Sequence, residues 1–396
     1  MNDDVYIEME YKQYTKYGQA ACGDDIQLQT LENENRSLAV LSDGLGSGVK
    51  ANILANMTTT MAIRFLRSNL DILQSMEIIM DSLPVCEVRK ISYATFSMVD
   101  LRVGGTTRVV EMGNPRFIHL RQGFEVPELR HETLISEHWP DREVECYDLV
   151  MIPGDRLIVC SDGVTQSGLG TGQAAYRFGW KRAGELAFAQ DIVQKRPEIS
   201  AKALACAIAG QAYDIASRKC KDDISCLVIY IRKPRVLRIL TGPPFYKEHD
   251  QQYAAQASLG EEHTVICGGT TANIVAREFN RTVQYNLKLS RDSGGLPPPA
   301  ILPGIGLVTE GILTLSRICH TLENGESLKS LPMAARKIVE MMMDHDRIEF
   351  VVGTKVNEAH QDPTLPEELE LRRGTVRRIA AALENKYRKK IKINYY

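Results

Sequence analysis

The apolar positions of the first 230 residues form two kinds of run. Short, largely apolar stretches predict strands: Ser37–Ser42 (SLAVLS), Ile91–Val99, Arg108–Glu111, Phe117–Leu120, Leu157–Cys160 and Ile224–Ile231 (ISCLVIYI). Turn residues separate them, among them Gly104-Gly105, Gly113-Asn114-Pro115 and Pro153-Gly154-Asp155. Other stretches repeat at helical spacing. Ile53, Met57, Met61 and Phe65 recur at i+4 within Val49–Arg67, and a second helix follows from Asp71 to about Leu83, stopped by Pro84. Ser200 reads as the N-cap of a third helix to about Lys219, with Leu204, Ile208, Ala212 and Ile215 on one face. Strands with helices grouped in pairs, rather than strict βαβ alternation, predict an α+β layered fold.

The pattern changes after Arg232–Arg235 (RKPR), a basic break containing a proline. Beyond it Val265–Cys267, Ile348–Val352 and Lys392–Tyr395 read as strands. Ala272–Phe279, Glu310–Leu322 with Thr309 as N-cap, Met333–Asp344 and Pro366–Lys389 read as helices. The expectation is two domains, residues 1–234 and a smaller α/β domain over 235–396, and the length of 396 residues agrees with that number.

Composition narrows the function classes. Hydrophobic residues at 44% and charged residues at 25% are those of a globular chain. A formal net charge of −2 gives no support to a protein-wide basic groove, so nucleic acid is not an expected partner. The nine cysteines include no CxxC pair, which fits a reducing cytosol better than a disulfide framework or a structural zinc. The longest uncharged stretch, between Asp292 and Glu310, is broken by Gly294, Gly295, Pro297, Pro298, Pro299 and Pro303 and reads as a loop, not a membrane span. The acidic start Met1-Asn2-Asp3-Asp4 is unlike a signal peptide. A cytoplasmic protein without membrane association is expected.

Candidate chemistry lies in acidic turns at strand ends. Ser42-Asp43-Gly44 follows one strand and opens the long helix, Ser161-Asp162-Gly163 follows another, Asp222-Asp223 precedes ISCLVIYI, and Cys22-Gly23-Asp24-Asp25 stands near the N-terminus. One Asp-Gly turn is usually only a turn. Several in one domain suggest carboxylates held rigidly for hard divalent cations such as Mg²⁺ or Mn²⁺, which prefer oxygen ligands. Two such ions can activate water for in-line attack on phosphorus.

The ordered set C-G-D-D, L-S-D-G-L-G-S-G plus helix, M-G-N-P, P-G-D-R-L-I-V-C-S-D-G-V and K-D-D-I-S-C-L-V-I, over about residues 10–232, resembles the metal-dependent serine/threonine phosphatases of the protein phosphatase 2C type. The closest branch is the SpoIIE-like one of bacterial sporulation and stress signalling. The resemblance implies a β-sandwich flanked by helices, with two Mn²⁺ or Mg²⁺ ions at one edge. It implies Asp43, Asp162 and Asp222 as catalytic residues and Asp24, Asp43, the carbonyl of Gly44, Asp162 and Asp222 as metal ligands. Asp43 would bridge both ions, Asp162 and Asp222 would bind the first, and Asp24 would lie beside the second, with Asp25 adjacent and the local match short. Asp223 would hold a ligand or water in orientation. Asn114 stands where many relatives of the wider family have an Asp that contributes to a third metal.

The implied reaction is hydrolysis of phosphoserine or phosphothreonine on a signalling protein, such as a STAS-type anti-anti-sigma factor, by metal-activated water. Helices corresponding to Val49–Leu83 often act as a switch in this branch and often pair between subunits, which would allow a homodimer; the favoured reading of their Met/Ile/Leu face is simply core. The alternative is a catalytically inactive phosphatase-fold binding or sensor module, against which the retained aspartates speak. Other readings of the glycine run fail on spacing: the sixth position of G-x-G-x-x-G counted from Gly44 is Val49, and Gly48-Val49-Lys50-Ala51 is not G-K-[ST]. The ATP-binding box of histidine-kinase-like ATPases would explain Asp43 but not Ser161-Asp162-Gly163 or Asp222-Asp223. In the second domain, Gly268-Gly269-Thr270-Thr271 reads as a strand–helix turn or as an anion cradle. The nine basic residues between Arg372 and Lys392 read as a charged helix with solvated faces or as an acidic-partner surface.

Overall fold

The computed structural model describes residues 5–83, 94–127, 131–285, 296–327, 330–355 and 367–396. The chain forms two compact units, Met1–Lys233 and Pro234–Tyr396.

In the first unit the elements run β1 (Tyr6–Tyr14), β2 (Asp24–Leu31), β3 (Arg36–Gly44), α1 (Val49–Arg67), α2 (Ile72–Ser82), β4 (Ala94–Arg102), β5 (Thr107–Met112), β6 (Ile118–Arg121), β7 (Phe124–Glu125), β8 (His131–Ile135), β9 (Glu143–Leu149), β10 (Arg156–Cys160), α3 (Asp162–Thr165), α4 (Lys181–Lys195), α5 (Ala201–Ile215) and β11 (Ile224–Arg232). The expected strand start at Ile91 lies outside the described residues. Two antiparallel sheets result, ordered β2-β3-β4-β5-β9-β8 and β1-β11-β10-β6-β7.

Side-chain alternation along the central strands explains why they read as continuous apolar runs. On β3, Ala39 and Leu41 join Leu227, Ile229 and Ile231 of β11 in the core between the sheets. Leu38 and Val40 point the other way and meet Ala62, Ile63, Met76, Ile79 and Met80 of α1 and α2. On β11, Cys226, Val228 and Tyr230 meet Ala189, Ile192, Leu204 and Ile208 of α4 and α5. Both faces of each central strand are therefore buried, and polar alternation is lost. The architecture is an α+β sandwich of two sheets with a helix pair on each outer face.

The second unit contains β12 (Val236–Thr241), α6 (Asp250–Ala255), β13 (Thr264–Cys267), α7 (Gly269–Glu278), β14 (Gln284–Tyr285), β15 (Ala300–Leu302), β16 (Gly306–Thr309), α8 (Ile312–Asn324), α9 (Met333–Asp344), β17 (Arg347–Val352), α10 (Glu367–Tyr387) and β18 (Lys390–Tyr395). The sheet order is β14-β15-β16-β13-β12-β17-β18, with β16, β13, β12, β17 and β18 parallel. Leu237, Ile239, Ile348 and Phe350 pack on α8, α9 and α10, while Leu240, Ile266 and Val351 pack on α6 and α7. This is an α/β unit covered on both faces.

Several expectations shift. The helix after Ser200 ends at Ile215 rather than near Lys219, because Ser217 and Arg218 adopt left-handed φ values of 55° and 60°. Helix α7 begins at Gly269, three residues before the expected Ala272. Thr309 is the last residue of β16 and not an N-cap; Gly311 takes that position, and the Glu310 carboxylate accepts the Thr314 backbone N–H at 3.1 Å. Helix α4 had no legible period, because Glu185 is buried on the same face as Ala189 and Ile192. The central strand β12 follows RKPR directly and was hidden by it. Several of the basic residues after Arg372 serve the fold: Arg378 pairs with Glu323, Lys386 donates to the Glu323 carbonyl, and Lys389 donates to the Met343 and His345 carbonyls. Among the described residues no helix is long and apolar enough to cross a membrane.

Glu185 yields a stability prediction. Burial pushes its carboxyl up from 4.5 to about 7, partly offset by a hydrogen bond from the Cys160 thiol. A carboxyl with a raised folded pKa favours the fold fully below its unfolded pKa and loses that contribution as pH rises through the folded value. Glu185→Gln is therefore expected to stabilise the protein at pH 8 by roughly 1–3 kcal/mol, with the advantage gone by about pH 4.5. Urea unfolding at both pH values measures it.

Candidate metal centre

The end of each sheet contributes acidic residues to one place. On the first sheet Asp24 opens β2 directly opposite Asp43, the penultimate residue of β3. On the second, Asp162 follows the end of β10 and Asp222-Asp223 precede β11, two strands that pair side by side. Ser161 and Ser225 continue that ladder: the Ser161 N–H donates to the Ser225 carbonyl at 3.0 Å, and the Ser225 N–H donates to Ser161 Oγ at 3.1 Å.

One polar bridge joins the two sheet ends. Ser225 Oγ donates to Asp24 Oδ2 at 2.6 Å, and Gln13 Nε2 on β1 donates to both Ser225 Oγ and the Asp24 carbonyl. The Lys16 N–H donates to Asp223 Oδ1 at 2.9 Å, which fixes Asp223 away from its neighbour, while Lys16 Nζ lies 3.8 Å from Asp222 Oδ1.

Glycines make this approach feasible. A Cβ on Gly163 would lie 2.0 Å from the Asp223 carbonyl oxygen, and one on Gly44 would lie 2.1 Å from the Ala51 carbonyl oxygen in α1. Only residues without a side chain let the Asp162 turn close on the Asp222 turn, and β3 close on the first turns of α1.

The electrostatics are those of crowded, half-dry carboxylates. Burial, then repulsion from Asp24, Asp162 and Asp222, pushes Asp43 up to about 9. Burial pushes Asp24 up to about 7, against the hydrogen bond from Ser225. Asp162 is raised by burial and by Asp222, and Asp222 by burial against the pull of Lys16. Asp24 is 2% exposed, whereas the Asp222 side chain is 40% exposed, so the cluster runs from the interior to solvent. Asp24 Oδ1 and Asp162 Oδ1 are buried and meet no hydrogen-bond donor. Among the described residues no three His, Cys, Asp or Glu side chains are closed around a common point. The carboxylates are thus neighbours within electrostatic reach rather than a finished cage. The donor set consists of carboxylate oxygens with lone pairs left over, and it fits a hard divalent cation.

The adjacent acids divide their roles. Asp25 turns to α1, accepting from Thr59 Oγ1 and, at 3.4 Å, from Asn56 Nδ2, while Asp24 turns to the cluster. Asn114 accepts from Thr95 Oγ1 at 2.5 Å and donates to Ser97 Oγ at 3.0 Å, beside the strand position that pairs with Asp43. Ser161, Ser225 and Gln13 were not singled out from the sequence as site residues. Ser161 and Ser225 stood inside motifs; Gln13 carried no local signal, because what it does depends on strand pairing.

The family model described as Stage II sporulation protein E (SpoIIE) matches residues 33–232, half of the chain. The chain belongs to the SpoIIE family. The match includes Asp43, Asp162 and Asp222 and leaves Asp24 just outside. The SpoIIE of Bacillus subtilis carries a PP2C phosphatase domain. Similar solved structures include the phosphatase domain of the cell fate determinant SpoIIE from Bacillus subtilis, at 17% identity over 59% of this chain and 95% of that one, with a TM-score of 0.42. The RsbU and RsbW domains of a Mycobacterium tuberculosis protein match at 18% identity over 64% of this chain and 67% of that one, with a TM-score of 0.43. The SiaA-PP2C domain of Pseudomonas aeruginosa matches at 15% identity over 56% of this chain and 85% of that one, with a TM-score of 0.42. No curated protein sequence matches the chain.

Crowded carboxylates make a prediction for this SpoIIE unit. Asp43→Asn removes repulsion among buried acids, so the metal-free variant is expected to melt higher than metal-free wild type by a few °C, equivalent to roughly 1–3 kcal/mol. Mn²⁺ should raise the melting temperature of the wild type and have little effect on the variant. Thermal unfolding with and without EDTA reads both arms.

Proposed function

We propose that this chain is a metal-dependent phosphoprotein phosphatase that hydrolyses phosphoserine or phosphothreonine on a signalling protein. The observation that carries the reading is the convergence of Asp24, Asp43, Asp162 and Asp222 from two sheet ends, with two buried carboxylate oxygens left without donors. Membership of the SpoIIE family supports it.

Asp43, Asp162 and Asp222, with Asp24 and the Gly44 carbonyl, would hold two Mn²⁺ or Mg²⁺ ions. Such ions, when bound, activate water and neutralise charge developing on the phosphoryl oxygens. The chain's own contribution is orientation. Asp24 is held by Ser225, Asp162 Oδ2 accepts from Gln166 Nε2 at 2.7 Å, and the Asp222 carboxylate accepts the Asp223 N–H at 3.1 Å. These bonds fix one oxygen of each acid and leave the other for a cation. Asp222, with its side chain 40% exposed, is open to a protein-borne phosphate arriving from solvent. A STAS-type protein is the substrate class that the family resemblance suggests.

Hydrolysis of p-nitrophenyl phosphate and of a phosphoserine peptide should require Mn²⁺ or Mg²⁺ and stop with EDTA. Asp43→Asn and Asp162→Asn should each lower kcat/KM by 10³-fold or more, about 4 kcal/mol of transition-state stabilisation. Metal-independent turnover, or variants as active as wild type, would overturn the assignment.

A further inference from the structure

A second concavity lies immediately beside Asp222. The loop through Gly168 and Thr171 and the turn carrying Lys219 to Asp222 enclose about 160 Å³, over a floor of Ala216, Cys220 and Ile224, all buried. That volume is below the roughly 300–1,000 Å³ of small-molecule sites and matches a single side chain.

Its walls are built for charge. Left-handed Ser217 and Arg218 end α5 abruptly and turn the chain so that Lys219 and Lys221 both line the space. Lys221 Nζ reaches over the Gly170 carbonyl at 3.5 Å. A Cβ on Gly170, itself at φ 67°, would stand 2.3 Å from that ammonium, so the loop glycine leaves room for the lysine. Lys219 Nζ lies 5.6 Å from the Tyr17 ring. Neither ammonium has a carboxylate within ion-pair distance among the described residues, whereas Lys16 is paired with Asp222. Four aspartates next door would repel an acidic neighbour of the phosphorylated residue, and Lys219 and Lys221 place two positive charges beside Asp222 in a space that could house one.

We propose that this concavity is a specificity subsite that takes the Asp or Glu side chain flanking the phosphorylated residue of the substrate, its carboxylate set between Lys219 and Lys221. The subsite rests on the phosphatase reading above. It assigns the substrate class as an acidic phosphosite, and it makes Lys219 and Lys221 determinants of substrate choice rather than of chemistry.

The test uses the full chain at saturating Mn²⁺ and two phosphoserine peptides identical except for Glu or Lys on both sides of the phosphoserine. The readout is the Glu-to-Lys ratio of kcat/KM, in which differences in metal loading cancel. Wild type is expected to favour the Glu peptide three- to tenfold at low ionic strength, with the ratio falling toward one in molar salt. Lys219→Glu/Lys221→Glu should invert the ratio, and Lys219→Gln/Lys221→Gln should flatten it; both positions are exposed, so folding is retained. A wild-type ratio of one, or a ratio unmoved by the reversal, overturns the subsite and leaves the phosphatase standing. Failure of metal-loaded wild type to turn over either peptide overturns the phosphatase reading and the subsite with it.

Discussion

Asp24 and Asp43 face each other across the first rung of the β2–β3 ladder, and Asp162 and Asp222 come up against them from the other sheet. Their mutual repulsion in a half-buried setting is a standing cost that the rest of the unit must hold in place. Ser225 and Gln13 hold Asp24, Lys16 lies against Asp222, and Gly44 and Gly163 allow the close approach. The core between the sheets, from Leu41 to Ile229, supplies the burial that offsets the cost. A sandwich is well suited to this task. Its two sheets end at a common edge, so acids far apart in the chain become neighbours without any loop having to fold over them.

The outer helices are tied into the same arrangement. Asp25 accepts from Thr59 and Asn56 of α1, and Asn52 Nδ2 donates to the Cys22 carbonyl at 2.8 Å. The strand that positions Asp24 is thereby fastened to the helix that follows Asp43 and Gly44. A displacement of α1 along its axis would be felt at both ends of the Asp24–Asp43 rung. The helix is therefore part of the frame of the centre as well as a cover for Leu38 and Val40.

The second unit follows a different logic. Its parallel strands need crossovers, so α6 and α7 cover one face and α8, α9 and α10 the other. Three basic residues of its C-terminal segment bond within the unit: Arg378 and Lys386 of α10 and Lys389 just after it. The Gly268-Gly269 turn starts α7 with Gly268 at φ 110°, a conformation that itself explains a glycine at that position.

Local rules decided much of this protein in the sequence alone. Helix α1 spans Val49–Arg67 as its i+4 spacing predicts, but the face it buries is Ala51, Ala55, Thr58, Thr59, Ala62 and Ile63, while Ile53 and Met57 of the i+4 stripe are exposed. The acidic Asp-Gly turns were visible because a strand end followed by glycine is a short-range pattern. Helix α4 was not visible, since Glu185 lies on its buried face and erases the period. The convergence of Asp24, Asp43, Asp162 and Asp222, the distinct directions of Asp24 and Asp25, and the parts played by Ser225 and Gln13 were decided by tertiary structure. Each depends on which strands pair and in what register, and a register can relate segments more than two hundred residues apart, which no local pattern of apolar and polar residues encodes.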